Sequence, residues 1–325
     1  MLAKTILAFT VVGTLLSATA SVAAELPRSG NVYRIGWLSG EGGRPFDADI
    51  LKSFRSGMAD LGWDGRSTEF VERRANARLE RLPGLAAELV ALNVDVIVAI
   101  GDASVLAAMR ATRQIPIVSP FSDDPVGAKL VTSLARPGGN VTGLSYMGPE
   151  IYAKELSLLK EAMPGLRKLG VVINSANPSA DGILGALRNT SRTLGIELKI
   201  VDAYPLDSLD LRINEMTGTG VQAITGFVLQ SPFKDRLIRF GTANRIPLVG
   251  YTDGLPGLLS LEVDELQMAR RSARYVDKIL RGANPGELAV EQPTEFLLFI
   301  NLTTAKAYGI TIPQSLRLRA YKLIP

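Results

Sequence analysis

The chain has 325 residues, enough for two domains of ordinary size. Its 46% hydrophobic and 21% charged content is that of a soluble globular protein. The formal net charge is only +4, and the densest basic run, "RRAR" at 271–274, falls on a predicted helix as a solvated face, not a nucleic-acid patch. With no histidine and no cysteine, Ser-His-Asp and Cys-His catalysis, histidine-based zinc sites and disulfides are all excluded.

The opening segment has Lys4 as its sole charge before Glu25, an apolar stretch over 5–16, and Val22 and Ala24 where a signal peptidase reads small residues. Residues 1–24 therefore read as a secretory signal peptide, too short in its apolar part to span a bilayer. The expected location is the periplasm, and without cysteine the protein is not a lipoprotein.

From residue 32 onward, short β-rich runs alternate with amphipathic stretches. "YRIGWLS" (33–39) reads as a buried strand. A helix follows, with Ile50, Leu51, Phe54, Met58 and Leu61 on one stripe and Gly62 placed to end it. "RSTEFVERRA" is a second strand and "RLPGLAAELVALN" a helix. "VDVIVAIG" (94–101) has almost no polar alternation, as in a parallel sheet covered on both faces. "ASVLAAMRAT" reads as a helix, "IPIVSPF" as a strand and "PVGAKLVTSLA" as a helix. Pro137, Gly138 and Gly139 then break the rhythm before "VTGLS".

A second βα block follows. It comprises "IYAKELSLLKEAMPG" (helix), "KLGVVINSANP" (strand), "LGALRNTSRTLG" (helix ending at Gly195), "IELKIVD" and "VQAITGFVLQ" (strands), "FKDRLIRFGTANR" (helix) and "IPLVGYTDG" (strand). Then come a short strand "GLLSLEV", a long helix from Asp264 closed by Gly282, and a late strand and helix in "EFLLFINLTTAKAYGI". The pattern is α/β, with doubly wound parallel sheets.

The stretches "LPGLAAELVALNVDVIVAIG", "IPIVSPFSDDPVG", "LVTSLARPGGNVTGLS" and "VEQPTEFLLFINLTTAKAYGITIP", in this order, resemble the substrate-binding proteins of a bacterial ABC importer family. Its members include tryptophan-type aromatic amino-acid binders. The resemblance runs over residues 32–325. It implies the type I periplasmic-binding fold, two doubly wound parallel-sheet lobes joined by three crossings. These are expected near Val141–Met147, Gly257–Glu262 and Leu288–Gln292. Lobe 1 would then be 32–145 plus 262–287, and lobe 2 would be 146–256 plus 290–325. The resemblance also implies a small-molecule ligand in the cleft and an ABC permease in the inner membrane as partner. A monomer, without cofactor, metal or nucleic acid, is expected.

Ligands of such sheets bind beyond the carboxyl ends of the strands. The candidates are therefore Ser39, Gly40 and Glu41; Asp102, Ala103 and Ser104; Phe121 and Asp123; Asn174 and Asn177; Leu229 and Gln230; and Tyr251 and Asp253. Helix N-termini and short polar side chains there can hold a carboxylate, an acid can hold an ammonium group, and aromatics can cover an apolar body. Ser104 and Asn177 also fit as caps, and Phe227, Trp37 and Trp63 as packing residues. Asp102, Asp123 and Glu262 depart from the family pattern and add carboxylates near the expected cleft, which favours an amine-bearing ligand. "RPGGNVTG" lacks a phosphate-loop pattern and reads as a turn into the first crossing.

Three uses remain open for the chain: solute binding for an importer, solute sensing for a membrane receptor, and an exported carboxylate-dependent enzyme. Asp123 and Asp124 are the best support for the last, but neighbours point in different directions. Asp124, before Pro125, reads as a helix cap; Asp123 is the candidate ligand contact.

Overall fold

The computed structural model describes residues 32–40, 45–227, 229, 231–250 and 257–325. The expected signal peptide, Glu41, Gln230, Tyr251 and Asp253 lie outside the described residues.

Two parallel sheets form in succession. The first contains β1 (Tyr33–Ser39), β2 (Thr68–Arg74), β3 (Val96–Ile100), β4 (Ile117–Ser122) and β5 (Val141–Ser145), in the order β2-β1-β3-β4-β5. Helices α1 (Pro45–Asp60), α2 (Leu82–Ala91) and α3 (Asp102–Ala111) connect its strands. After α4 (Gly148–Ala162), the second sheet runs β7-β6-β8-β9, from β6 (Lys168–Ile173), β7 (Glu197–Asp202), β8 (Ala223–Phe227) and β9 (Leu248–Val249). Its connections carry α5 (Ala180–Leu194), α6 (Leu209–Asn214) and α7 (Ser231–Ala243).

The local reasons are those visible in the sequence. The apolar run of β3 is buried on both faces, and the α1 stripe of Ile50, Leu51, Phe54 and Met58 is buried as its spacing predicts. Phe54 sits 5.5 Å from Trp37 and 6.1 Å from Phe70, ring centre to ring centre, fixing α1 on the sheet. Gly62 and Gly195 end α1 and α5 with φ of +87° and +65°.

The last part of the chain returns to both sheets. β10 (Leu259–Glu262) pairs antiparallel with β11 (Leu297–Asn301), which pairs parallel with β12 (Lys322–Ile324). Backbone bonds from Gly250 N to Leu259 O and from Leu258 N to Leu248 O, both 2.7 Å, join this trio to β9. Between β10 and β11, α8 (Glu265–Leu280) crosses over and packs along α1 and the first sheet. The contact is close enough that a Cβ on Gly57 would collide with the Arg270 carbonyl oxygen. Two short helices, α9 (Leu302–Ala307) and α10 (Gln314–Arg319), follow β11.

β5 and the segment leading to β11 run side by side. Ser145 N donates to Glu291 O at 2.8 Å, Glu291 N to Gly143 O at 3.1 Å, and the Thr142 hydroxyl to Leu288 O at 2.6 Å. Arg271 of α8 pairs with the Glu291 carboxylate.

One expectation fails. Residues 125–135 form turns and bends instead of a helix. Lys129 takes a left-handed φ of +57°, and Leu130 N and Val131 N both return to Pro125 O, at 2.9 and 3.1 Å. This folds the chain back so that Leu130 and Val131 bury in the first lobe's second hydrophobic cluster.

Gly57→Val is expected to cost about 1–3 kcal/mol by forcing α1 away from α8. Thermal unfolding with an unchanged midpoint would contradict that close approach.

Candidate functional site

A cavity of about 600 Å³ opens between the strand ends of the two sheets. Ser39, Gly40, Asp102, Ala103, Ser104, Phe121 and Asp123 line it from the first sheet's side, and Asn177 and Leu229 from the second's. Asn174 is fully buried and is not among the lining side chains; its Oδ1 accepts from Ala176 N at 3.0 Å and shapes the turn before α5.

Asp102 is the first residue of α3, set by Gly101 at φ +76°. It is 0% exposed. Its Oδ1 accepts from the Ser122 hydroxyl, and its Oδ2 from the Ser179 hydroxyl and from Asp123 N at 3.1 Å, with Asp124 N at 3.5 Å beside it. Ser122 ends β4, whereas Ser179 precedes α5. One carboxylate thus joins the two lobes.

Ser179 occupies the N-cap of α5 but makes no capping bond there, because its hydroxyl is turned to Asp102. Its oxygen also accepts from Asp124 N at 3.1 Å. Burial raises the Asp102 carboxyl above its ordinary value, and the hydroxyl and N–H donors oppose the rise.

Asp124 also works at this seam. Its Oδ1 accepts from Gly127 N at 2.8 Å, so it caps a turn, not the helix expected from Pro125. Its other oxygen faces Gly182 of α5, where a Cβ would collide with it. A carboxylate over the first turn of α5 is also favoured by the helix dipole.

Asp123 points elsewhere. Its backbone holds the first crossing, with Gly148 N donating to Asp123 O at 2.8 Å, and its side chain packs where Gly148 lacks a Cβ. The side chain is partly exposed and lines the cavity. Burial first, then the charges of Asp102 and Glu265, push its carboxyl well above the ordinary range; Lys234 opposes this.

Of the remaining wall, the sequence reading placed only Glu262 near the cleft. Tyr146 follows β5, held by Tyr146 N donating to Ser122 O at 2.6 Å. Tyr152 and Glu155 project from α4 one turn apart, and Glu262 ends β10. Phe227, expected in the core, is buried yet also lines the cavity, its ring 4.3 Å from that of Tyr152. Trp37 likewise both packs and lines. The signal that finds α4 is its position directly after a crossing, where one face must look into the cleft.

Tyr146 is surrounded by acid. Its hydroxyl is held well above its ordinary value by burial, then by Glu265, Glu262, Asp123 and Glu155. Glu155 is 4% exposed and accepts from Leu261 N at 3.0 Å. Burial pushes its carboxyl up to about 8; the Leu261 bond opposes this and Glu262 adds to it.

The sign of the pH effect follows. An ordinary glutamate titrates near 4.5, so between that value and about 8 the folded chain holds a proton that the unfolded chain has lost. Stability therefore falls as pH rises through this window. Glu155→Gln keeps an acceptor for Leu261 N and is expected to flatten that fall. Thermal unfolding from about pH 5 to 9 checks it; parallel profiles for variant and wild type would contradict it.

The profile of the family described as ABC transporter substrate binding protein matches residues 45–324. A tyrosine-binding protein of Clostridioides difficile (strain R20291) is 26% identical over 265 residues, 79% of this chain and 75% of that protein. A conserved domain protein of Vibrio cholerae superposes with a TM-score of 0.82 at 28% identity, covering 90% of this chain and 99% of the other. An ABC domain from Streptococcus pneumonia, solved in complex with L-Trp, gives a TM-score of 0.83 at 22% identity, covering 90% and 100%. With two parallel-sheet lobes, a cavity between them and a family match over most of its length, this chain belongs to the ABC transporter substrate-binding proteins.

Proposed function

We propose that the protein is a periplasmic solute-binding protein that captures a small molecule between its lobes and hands it to an ABC permease in the inner membrane. The lobes would be residues 32–145 with 262–287, and 146–256 with 290–325. The signal-peptide reading of residues 1–24 supports export. The reading rests on one observation above all: the cavity is walled from both lobes, by Ser104 and Phe121 on one side and by Tyr152 and Phe227 on the other. A ligand there touches both walls only when they are apposed, so its binding free energy favours the closed form. The cavity's volume, about 600 Å³, is in the range of sites for single small metabolites.

The aromatic walls suit a flat apolar body, in keeping with the tyrosine-binding and Trp-bound relatives. Binding alone, without bond chemistry, is the activity proposed.

Mass spectrometry of small molecules released from the purified protein is expected to show a bound solute. Adding that solute back is expected to raise the melting temperature. No released molecule, together with no thermal shift across a broad panel of amino acids, amines and aromatic acids, would overturn the reading.

A further inference from the structure

The donors that converge at the seam are already spent. A ligand carboxylate needs N–H and O–H groups, and the hydroxyls of Ser122 and Ser179 with the N–H of Asp123 all point at Asp102 instead. The chain's own carboxylate fills the anion site that this turn would otherwise offer. The acids that line the cavity beyond it are Asp123, Glu155, Glu262, Asp264 and Glu265. The basic lining side chains, among the described residues, are Arg74 and Lys234. Arg74 is paired with Glu72 at 3.0 Å, and Lys234 already contributes to the field around Asp123.

A second observation points to a ligand at the same place. The Ser104 hydroxyl lies in the cavity wall, 0% exposed, with no hydrogen-bond partner among the described residues. A buried hydroxyl left unpaired is costly; a polar ligand group relieves that cost, whether the hydroxyl donates to it or, as with an ammonium N–H, accepts from it. The Asp123 carboxylate, for its part, accepts no hydrogen bond from any described residue while facing the same space. Among the described residues no group of three or more acids is disposed to hold a metal ion.

Resting on the solute-binding reading above, we propose that the cleft selects a net-cationic aromatic amine, one without a carboxylate, and that Asp123 is the residue that holds its ammonium group. The aromatic body lies against Tyr152 and Phe227, and Asp123, whose carboxyl accepts no hydrogen bond from any described residue, favours an added positive charge over a negative one. Burial and like charge make Asp123 hard to ionise in the empty cavity, and an incoming ammonium relieves that.

Isothermal titration of the full chain with tyramine, L-tyrosine and 4-hydroxyphenylacetate tests this, since the three share a ring and differ in charge. Tyramine is expected to bind at least about tenfold more tightly than L-tyrosine, with the acid weakest, equivalent to about 1.4 kcal/mol between the first two. Asp123→Asn is expected to remove that preference with the fold intact by circular dichroism. L-Tyrosine or the acid binding best would overturn the cationic class while leaving the solute-binding reading standing. A tyramine preference that survives in Asp123→Asn would overturn the role of Asp123. Binding of none of the three would overturn the proposal, and whether other solutes shift the melting temperature then decides the solute-binding reading separately. Should the variant fail to fold, the wild-type ranking decides the ligand class.

Discussion

The arrangement of the cleft depends on one buried carboxylate. Asp102 sits where α3 leaves the first sheet, out of reach of water, and such a group is tolerated only if donors surround it. Ser122 and the backbone of the following residue supply them from the same lobe, and Ser179 supplies one from the other. Satisfying Asp102 therefore requires the two lobes to be apposed at this point. Asp124 reinforces the contact by lying over the start of α5, in the space that a Cβ at position 182 would enter.

That constraint sets the chemistry of the cavity. With Asp102 and Asp124 engaged at the seam, the acids facing the cavity include Asp123 and those around Tyr146. Rings supply the apolar surface, Phe121 from the first lobe and Tyr152 with Phe227 from the second. A single site thus combines aromatic walls, a hydroxyl at Ser104 without a partner among the described residues, and a cavity-facing carboxyl at Asp123.

The βα rhythm was legible because each signal was local. The unalternated run of β3, the stripe of α1 and the glycines after α1 and α5 all act within a few residues. The swap of α8 onto the first sheet was not local, and only the family resemblance carried it. The same distinction divides the site. Asp102 was placed at the cleft by its position after β3, where it does line the cavity, but its tie to Ser179 spans 77 residues and left no local signal. Tyr152 and Glu155 were read as part of an ordinary amphipathic helix, since nothing in their spacing tells a cleft face from a solvent face. The stretch after Pro125 has the apolar spacing of a helix, yet burying Leu130 and Val131 required the chain to turn back at Lys129.

The central claim is that Asp102 and Ser179 hold the lobes together at the seam. The chain lacks cysteine, so a pair introduced at the exposed positions Leu92 and Leu211 can carry spin labels without background. Distances between them, measured by pulsed electron resonance, report directly on lobe separation. A short-distance population is expected in the otherwise wild-type chain, shifting to longer distances in Ser179→Ala. Superimposable distributions would contradict it.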